Sequence, residues 1–516
     1  MCKLCDQGIP QNHARSRRDF LKASAATGVA AAGLDLFSAR PAAADSGAPP
    51  KGLGERGRRY VIRGGSVMSM DPQVGDFAQA DVLIEGKKIL AVGPKLKAGD
   101  AAVIDARGRI VMPGFIDTHH HQFETALRSF LADGILLPDG TPGGVINYFQ
   151  YILQTFAPVY RPKDVYISEL FGSLSQLDGG VTTVHDISQI HHSPEHSDAA
   201  IQGIMDSGRR AAFGYFESAG GVPGNQYPGD ARRIKKQWFS SDDRLVTMIM
   251  GGEVYLPGFD MAWAIGRELG LQVAAHILSP FGIRPTFDTL AATNQFGPDN
   301  LFVHMTGMSD MAWQKVKDAG AHVSLAVPIE MNMRHGMPPI LKTLSLGIQP
   351  SLSSDVEVTL TADFFTQMRS TMNVQRALVN QMILEPQLGV VDWPAPPAGT
   401  PDLLTTRDVL RFATVNGAKD LRLDHKTGSL TPGKEADIII LDATAINVAP
   451  LNQVPGAVVS LMDRTNVETV IVAGKVRKWK GQLLDVDLPR LRDKLESSRD
   501  YIFDAAGIRQ DLFRSN

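Results

Sequence analysis

VMPGFIDTHHHQFETALRS, running from Val111 to Ser129, is the stretch on which the reading of this chain turns. An apolar, strand-like run passes through Pro113-Gly114 and ends in Asp117-Thr118-His119-His120-His121. Side chains two apart on a strand point the same way. His119 and His121 therefore share a face and can meet one metal ion, while His120 faces elsewhere. In a parallel barrel, chemistry sits at the C-terminal ends of the strands, and this pair lies at such an end.

Further along, apolar runs recur at 181–185, 211–216, 246–250, 273–276, 301–303, 322–327 and 348–352. Helical stretches separate most of them, for example 262–269 and 310–319. With the run at 110–116, eight strands alternate with helices, which suits parallel β/α units. The expected fold is α/β, a (β/α)₈ TIM barrel. A doubly wound open sheet shares that alternation, but no G-x-G-x-x-G fingerprint follows an early strand. Short β-like runs at 59–62, 81–85, 88–92 and 103–105 precede the barrel, with Gly64, Gly86 and Gly108 at turns. The same texture returns in ADIIILDA (436–443) and NVETVIVAGKVRKWKGQLL (466–484). Both chain ends thus read as one small antiparallel β-sandwich subdomain, 59–112 with 425–485, flanking a barrel over 113–424. Residues 486–516 form a helical tail.

The N-terminus reads differently. Ser16-Arg17-Arg18-Asp19-Phe20-Leu21-Lys22 precedes an Ala-rich apolar run to Phe37 and the small residues Ala42-Ala43-Ala44. Charged region, apolar region and A-x-A site make a secretory signal over 1–44, and the twin arginine resembles a Tat signal. Residues 45–58 read as a linker. The expected location is the periplasm, with the Tat export machinery as a partner. The apolar run is too short and too weak to be a stable membrane span. Cys2 and Cys5 are the two cysteines of the chain, and both precede Ala44. The mature part then has neither disulfide nor thiolate, so a metal must take His and carboxylate ligands. A net charge of −3 argues against a polyanion-binding face, and hence against nucleic acid.

Pro113-Gly114-Phe115-Ile116-Asp117-x-His119-x-His121, set after a β-subdomain, resembles the first-strand signature of the amidohydrolase superfamily. GVTTVHD (180–186) is similar to its second strand, and the run 408–442 to its last helix and return to the β-subdomain. Among the subgroups, the chain resembles cytosine deaminases, adenosine-type deaminases and triazine chlorohydrolases. The resemblance implies three further positions: His276 after the fifth strand, His304 after the sixth and Asp355 after the eighth. It implies one divalent metal, zinc or iron, on His119, His121, His276 and Asp355. Asp355 would also act as general base, and His304 would polarise the substrate or hold the attacking hydroxide. A homo-oligomer is the family's common state.

One position departs from the pattern. The deaminase-like subgroup carries H-x-x-E after strand five, and here the last residue is Ser279. Serine cannot supply that acid near neutral pH. Glu253 and Glu330 are the first candidate replacements, with Glu217 a third, and Glu217 or Glu253 could bridge a second metal. Tyr148, Phe149, Tyr151, Phe156 and Tyr160 are candidates for an aromatic pocket wall, with core packing the competing reading; Arg128 reads as structural. The expected activity is hydrolysis of a C–N bond, amide-, imide- or carbamate-like, in a small cyclic or aromatic molecule. An aminohydrolase or dechlorinase of an N-heterocycle is the alternative, and a non-catalytic periplasmic binding protein the third reading.

Overall fold

The run that opens the barrel is two strands, not one. In the computed structural model, Arg109–Pro113 and Phe115–His120 belong to different sheets. Gly114 makes the turn between them. A Cβ there would stand 2.2 Å from the Thr182 side chain, so only glycine lets the chain pass this close to the neighbouring strand. The structure describes residues 47–513, apart from 142–143, 223–224, 242 and 388–394. The expected signal segment lies outside the described residues.

Eight parallel strands follow: β1 (Phe115–His120), β2 (Val181–Ser188), β3 (Arg210–Tyr215), β4 (Val246–Gly251), β5 (Val273–Leu278), β6 (Asn300–Thr306), β7 (His322–Leu325) and β8 (Ser351–Leu352). Each pairs with the next in sequence order. All of β1, β2, β3, β5 and β6 is buried. That is the pattern of parallel strands covered on both faces. Helices cover the outside, among them Pro162–Asp178, Phe259–Glu268, Asp310–Asp318 and Phe364–Leu384. The run expected as a strand over 348–352 is paired only at Ser351–Leu352, because Pro350 precedes it and lacks an amide donor. Beyond β8, a parallel bridge between His120 and Asp355 joins the last strand to the first. The barrel therefore closes at the end where the histidines stand.

The second sheet has nine strands drawn from both ends of the chain. Ile438–Asp442 lies antiparallel beside Arg109–Pro113, in register from Ile438 with Pro113 to Asp442 with Arg109. The long strand Arg59–Met68 runs antiparallel to Asp76–Glu85 and parallel to both Ala102–Asp105 and Arg109–Pro113, so the sheet is mixed rather than wholly antiparallel. Tyr60, Val82, Ile84, Val111, Ile438 and Ile471 pack its core, and Leu53 of the expected linker joins them. Helix Leu488–Ala505 packs back on Pro162–Asp178, where Ser498 Oγ donates to Asp164 at 2.6 Å. Among the described residues no helix is long and apolar enough to cross a membrane.

Candidate metal centre

Strand alternation places His119 and His121 on one side of β1, and the closing bridge brings Asp355 against them. The Asp355 amide donates to the His119 carbonyl at 3.0 Å, and the His121 amide donates to the Asp355 carbonyl at 2.9 Å. His120 turns away and its Nδ1 also donates to the Asp355 carbonyl, at 2.8 Å. His276 comes from β5 and His304 from β6. Asp355 and His304 hold left-handed backbone, φ +63 and +71. Such a conformation costs a non-glycine residue on the order of 1–3 kcal/mol and concentrates at functional sites. Behind β1, Asp117 anchors the strand by accepting from the Ser354 amide at 3.1 Å, the Ser354 hydroxyl and Gln176 at 2.7 Å.

The ring nitrogens converge. His119 Nε2 lies 3.0 Å from His121 Nε2 and 3.1 Å from His276 Nε2. Asp355 Oδ1 lies 3.4 Å from the first and 3.7 Å from the second. Tautomers follow from the outer partners. His121 Nδ1 donates to the Ile187 carbonyl at 3.1 Å, and His276 Nδ1 is bonded to Glu253. The facing Nε2 atom of His121 is therefore a bare lone pair; at His276 burial is more than offset by the Glu253 carboxylate, which holds that ring above the usual histidine range. Burial, then the neighbouring imidazoles, hold His119 and His121 well below the usual histidine range, so both are neutral. Lone pairs crowded this closely repel unless a cation sits among them. A tetrahedral zinc with ligands at about 2.1 Å keeps them roughly 3.4 Å apart, close to the spacing seen. The residues fit one divalent metal, and His119, His121, His276 and Asp355 would hold it. Burial pushes the Asp355 carboxyl up to about 7 against the opposing His276, and a cation at Oδ1 acts in the other direction.

The two glutamates singled out as replacement acids stand behind histidines. Glu253, after β4, accepts the His276 amide at 3.1 Å with one oxygen and meets its Nδ1 with the other. Glu330, in the helix Val327–Asn332, accepts from His304 Nδ1 at 3.1 Å and from the Ala326 amide at 2.9 Å. Both fix ring orientation and leave Nε2 free, the carboxylate–histidine arrangement that supports metal ligands. Burial pushes Glu330 up to about 8. Glu217 accepts the Glu253 amide at 2.7 Å, and burial followed by the Glu253 charge pushes it up to about 8. Arg128 pairs with Glu357 at 2.6 Å and ties the loop after β1 to the loop after β8.

A cavity opens onto the cluster. His121, His276, His304 and Asp355 form its floor, and Leu136, Leu153, Leu278, Phe281, Met333 and Val356 form most of its wall. Of the five aromatic residues expected after β1, Tyr148 lines it, at the head of a π-helical segment Phe149–Phe156, while Phe156 and Tyr160 are core. Ser279 is exposed and is not part of the lining. His335 does line it, and no sequence pattern pointed there. It follows no strand and carries no periodic signal; the Thr306 hydroxyl, donating to the His335 carbonyl at 2.7 Å, and left-handed Gly336 (φ +124) bring it in.

Comparison with known proteins places this geometry. The amidohydrolase family model matches residues 110–477. The 5'-deoxyadenosine deaminase of Methanosarcina mazei is 26% identical over 455 residues, 85% of this chain and 97% of that protein. An adenosine deaminase from Xanthomonas campestris, solved with bound zinc, has a TM-score of 0.74 at 22% identity, covering 88% of this chain and 100% of that one. A mutant of atrazine chlorohydrolase from Arthrobacter aurescens TC1, solved with zinc and atraton, gives 0.73 at 20% identity, with 85% and 100% covered. The family match spans most of the chain and encloses every member of the His/His/His/Asp cluster, and the chain belongs to the amidohydrolase family.

Proposed function

We propose that the chain hydrolyses a C–N bond of amide, imide or carbamate type in a small, largely apolar molecule. The observation that carries this reading is the lining of the cavity: apolar walls over a floor of imidazoles, with Asp355 the one carboxylate among the lining residues. A bound divalent metal lowers the pKa of water toward about 7 and polarises a carbonyl oxygen. The chain's own groups do the rest. Asp355 lines the cavity and its Oδ2 has no hydrogen-bond partner; that oxygen would accept the proton of the attacking water. His304, held by Glu330, presents a bare Nε2 to the same space, 3.6 Å from Asp355 Oδ2. The apolar wall excludes bulk water from the reacting carbon and grips a flat or aliphatic body.

Amide-type carbons suit this site because an amine leaving from a carbonyl centre can take the proton that Asp355 collected. Amidine-type ring carbons need a separate acid for the ring nitrogen, and Ser279 does not provide it. A second reading, aminohydrolase or dechlorinase of an N-heterocycle, is supported by the names of the relatives. A substrate panel separates the two. Aryl amides, cyclic imides and aryl carbamates are expected to release amine or carboxylate. Faster ammonia release from adenosine-type nucleosides, or chloride release from triazines, would overturn the first reading.

We also infer export by the twin-arginine route, supported by Arg17-Arg18 and the Ala-rich run that follows. Replacing both arginines by lysine is expected to leave the protein in the cytoplasmic fraction. Unchanged periplasmic recovery would contradict it.

A further inference from the structure

His335 lines the cavity with its hydrogen-bonding capacity unused. The residue is 4% exposed, and both of its ring nitrogens lack a partner among the described residues. A buried polar atom left unpaired is rare and costly, and in a cavity wall it marks a place for a ligand group. The backbone that carries the ring is fixed on both sides. The Leu136 amide donates to the Met333 carbonyl at 3.0 Å, and the Thr306 hydroxyl donates to the His335 carbonyl at 2.7 Å. Burial, then the nearby His276, hold the ring down to about 3, so it is neutral, with one N–H and one bare lone pair. With neither nitrogen committed elsewhere, either one can carry the lone pair.

The place of the ring selects the group it would meet. A ring nitrogen of His335 and a carboxylate oxygen of Asp355 lie within 4.8 Å of each other. One atom about 2.9 Å from both would see them at an angle of up to about 112°. That range takes in the tetrahedral angle. In the hydrolysis proposed above, the substrate atom that meets Asp355 last is the leaving nitrogen. When the C–N bond breaks, its electron pair stays on nitrogen, and the proton that Asp355 took from water goes to that pair. A pyramidal nitrogen offers its lone pair in one tetrahedral direction and an N–H in another. The lone pair would meet Asp355, and the N–H would meet the bare nitrogen of His335.

We propose that His335 is a specificity-determining residue that accepts a hydrogen bond from the leaving nitrogen. The substrate is then one whose scissile nitrogen carries hydrogen: a primary or secondary amide, an N-unsubstituted imide or an N–H carbamate. The proposal rests on the C–N hydrolysis stated above. A tertiary amide has no N–H to give and leaves the His335 lone pair buried and unpaired, which is how a polar site rejects an analogue. The amide nitrogen of the bound substrate is planar, with its pair delocalised into the carbonyl. The double contact with Asp355 and His335 therefore forms as the bond breaks, and it acts on kcat more than on KM.

The test uses the zinc-loaded full chain with acetanilide and N-methylacetanilide. Wild type is expected to favour acetanilide. His335→Phe keeps a ring and removes the nitrogens. It should lower kcat for acetanilide about 10-fold, leave KM near its wild-type value and leave the rate on N-methylacetanilide unchanged. His335→Asn keeps an acceptor and should recover part of the loss. Both variants should retain their zinc. Wild-type crystals soaked in aniline, the amine product, give a readout independent of the variants and of turnover. The aniline nitrogen should lie within about 3.2 Å of both Asp355 and a His335 ring nitrogen. Rates unchanged or equally lowered on both anilides in His335→Phe, zinc lost from the variants, or an aniline nitrogen away from His335 overturns the proposal. Hydrolysis of neither anilide, with the aniline nitrogen seated between Asp355 and His335, would support the contact and count against the reaction proposed above.

Discussion

His276 reaches the centre with its outer nitrogen already held by Glu253, and that single contact separates two roles for the glutamate. If Glu253 orients the ligand, Glu253→Gln loosens the imidazole, and zinc affinity falls about 10- to 100-fold. Competition with a chromogenic chelator measures this. If Glu253 were the proton donor, the variant would keep its zinc and lose turnover, and that outcome would sink the orienting role. The residue scale is also where the sequence was most and least readable. His119, His121, His276, His304 and Asp355 end or follow apolar strand runs, so a pattern and a period point to them. The structure brings all five into overlapping groups of possible ligands that share His119, His304 and Asp355. His335 sits in an irregular loop whose position depends on Thr306 and Gly336, contacts that no local period encodes. Glu253 and Glu330 were readable as acids near strand ends, but which side of a histidine each one occupies is a matter of packing.

At the scale of elements, the junction Pro113-Gly114 converts one apolar run into two strands in two sheets. The eight strand runs were legible from periodicity and length. The break was not, because β-branched and aromatic residues continue across it. Its cause is long-range: Thr182 of β2 leaves no room for a side chain at residue 114. Gly114→Ala is therefore expected to overpack the junction and destabilise the fold by about 1–3 kcal/mol, measured by denaturant unfolding. An unchanged midpoint would show that β1 and β2 can separate freely there. The end of the barrel was hidden for a related reason. A two-residue β8 carries almost no periodic signal, and the strand is completed by the single bridge from Asp355 to His120.

Across the whole molecule, the barrel and the composite sheet meet at a buried charge cluster. Arg210 of β3 donates to Asp437 at 2.6 Å and to Glu435 at 2.6 Å, with all three side chains almost wholly shielded. Removing the cation leaves buried Asp437 without its counter-charge and Glu435 with Lys87 at 3.2 Å, so Arg210→Met is expected to cost about 3–5 kcal/mol in unfolding free energy. A loss under 1 kcal/mol would mean that water reaches the cluster. The same cluster sets an acid limit. Burial raises Glu435, but Arg210 and Lys87 more than offset it, and the group is held below its ordinary 4.5. A carboxylate depressed on folding contributes stability that is complete above its unfolded value and fades as pH falls through its folded one. Stability should therefore decline as pH drops below about 4.5. Glu435→Gln should flatten that limb, and an identical acid limb in the variant would assign it to other carboxylates. That both chain ends build one sheet was legible from their shared texture; that this sheet is mixed, with Arg59–Met68 pairing with three strands, depends on pairings that texture does not specify.

The central claim is that four residues from β1, β5 and the end of β8 hold one divalent metal. The most direct measurement is the metal retained per chain after exhaustive dialysis, wild type against His119→Ala, with folding checked by circular dichroism. The expected result is one zinc or iron per wild-type chain and none in a folded variant. A wild-type chain without retained metal, or a variant that keeps it, would contradict the account.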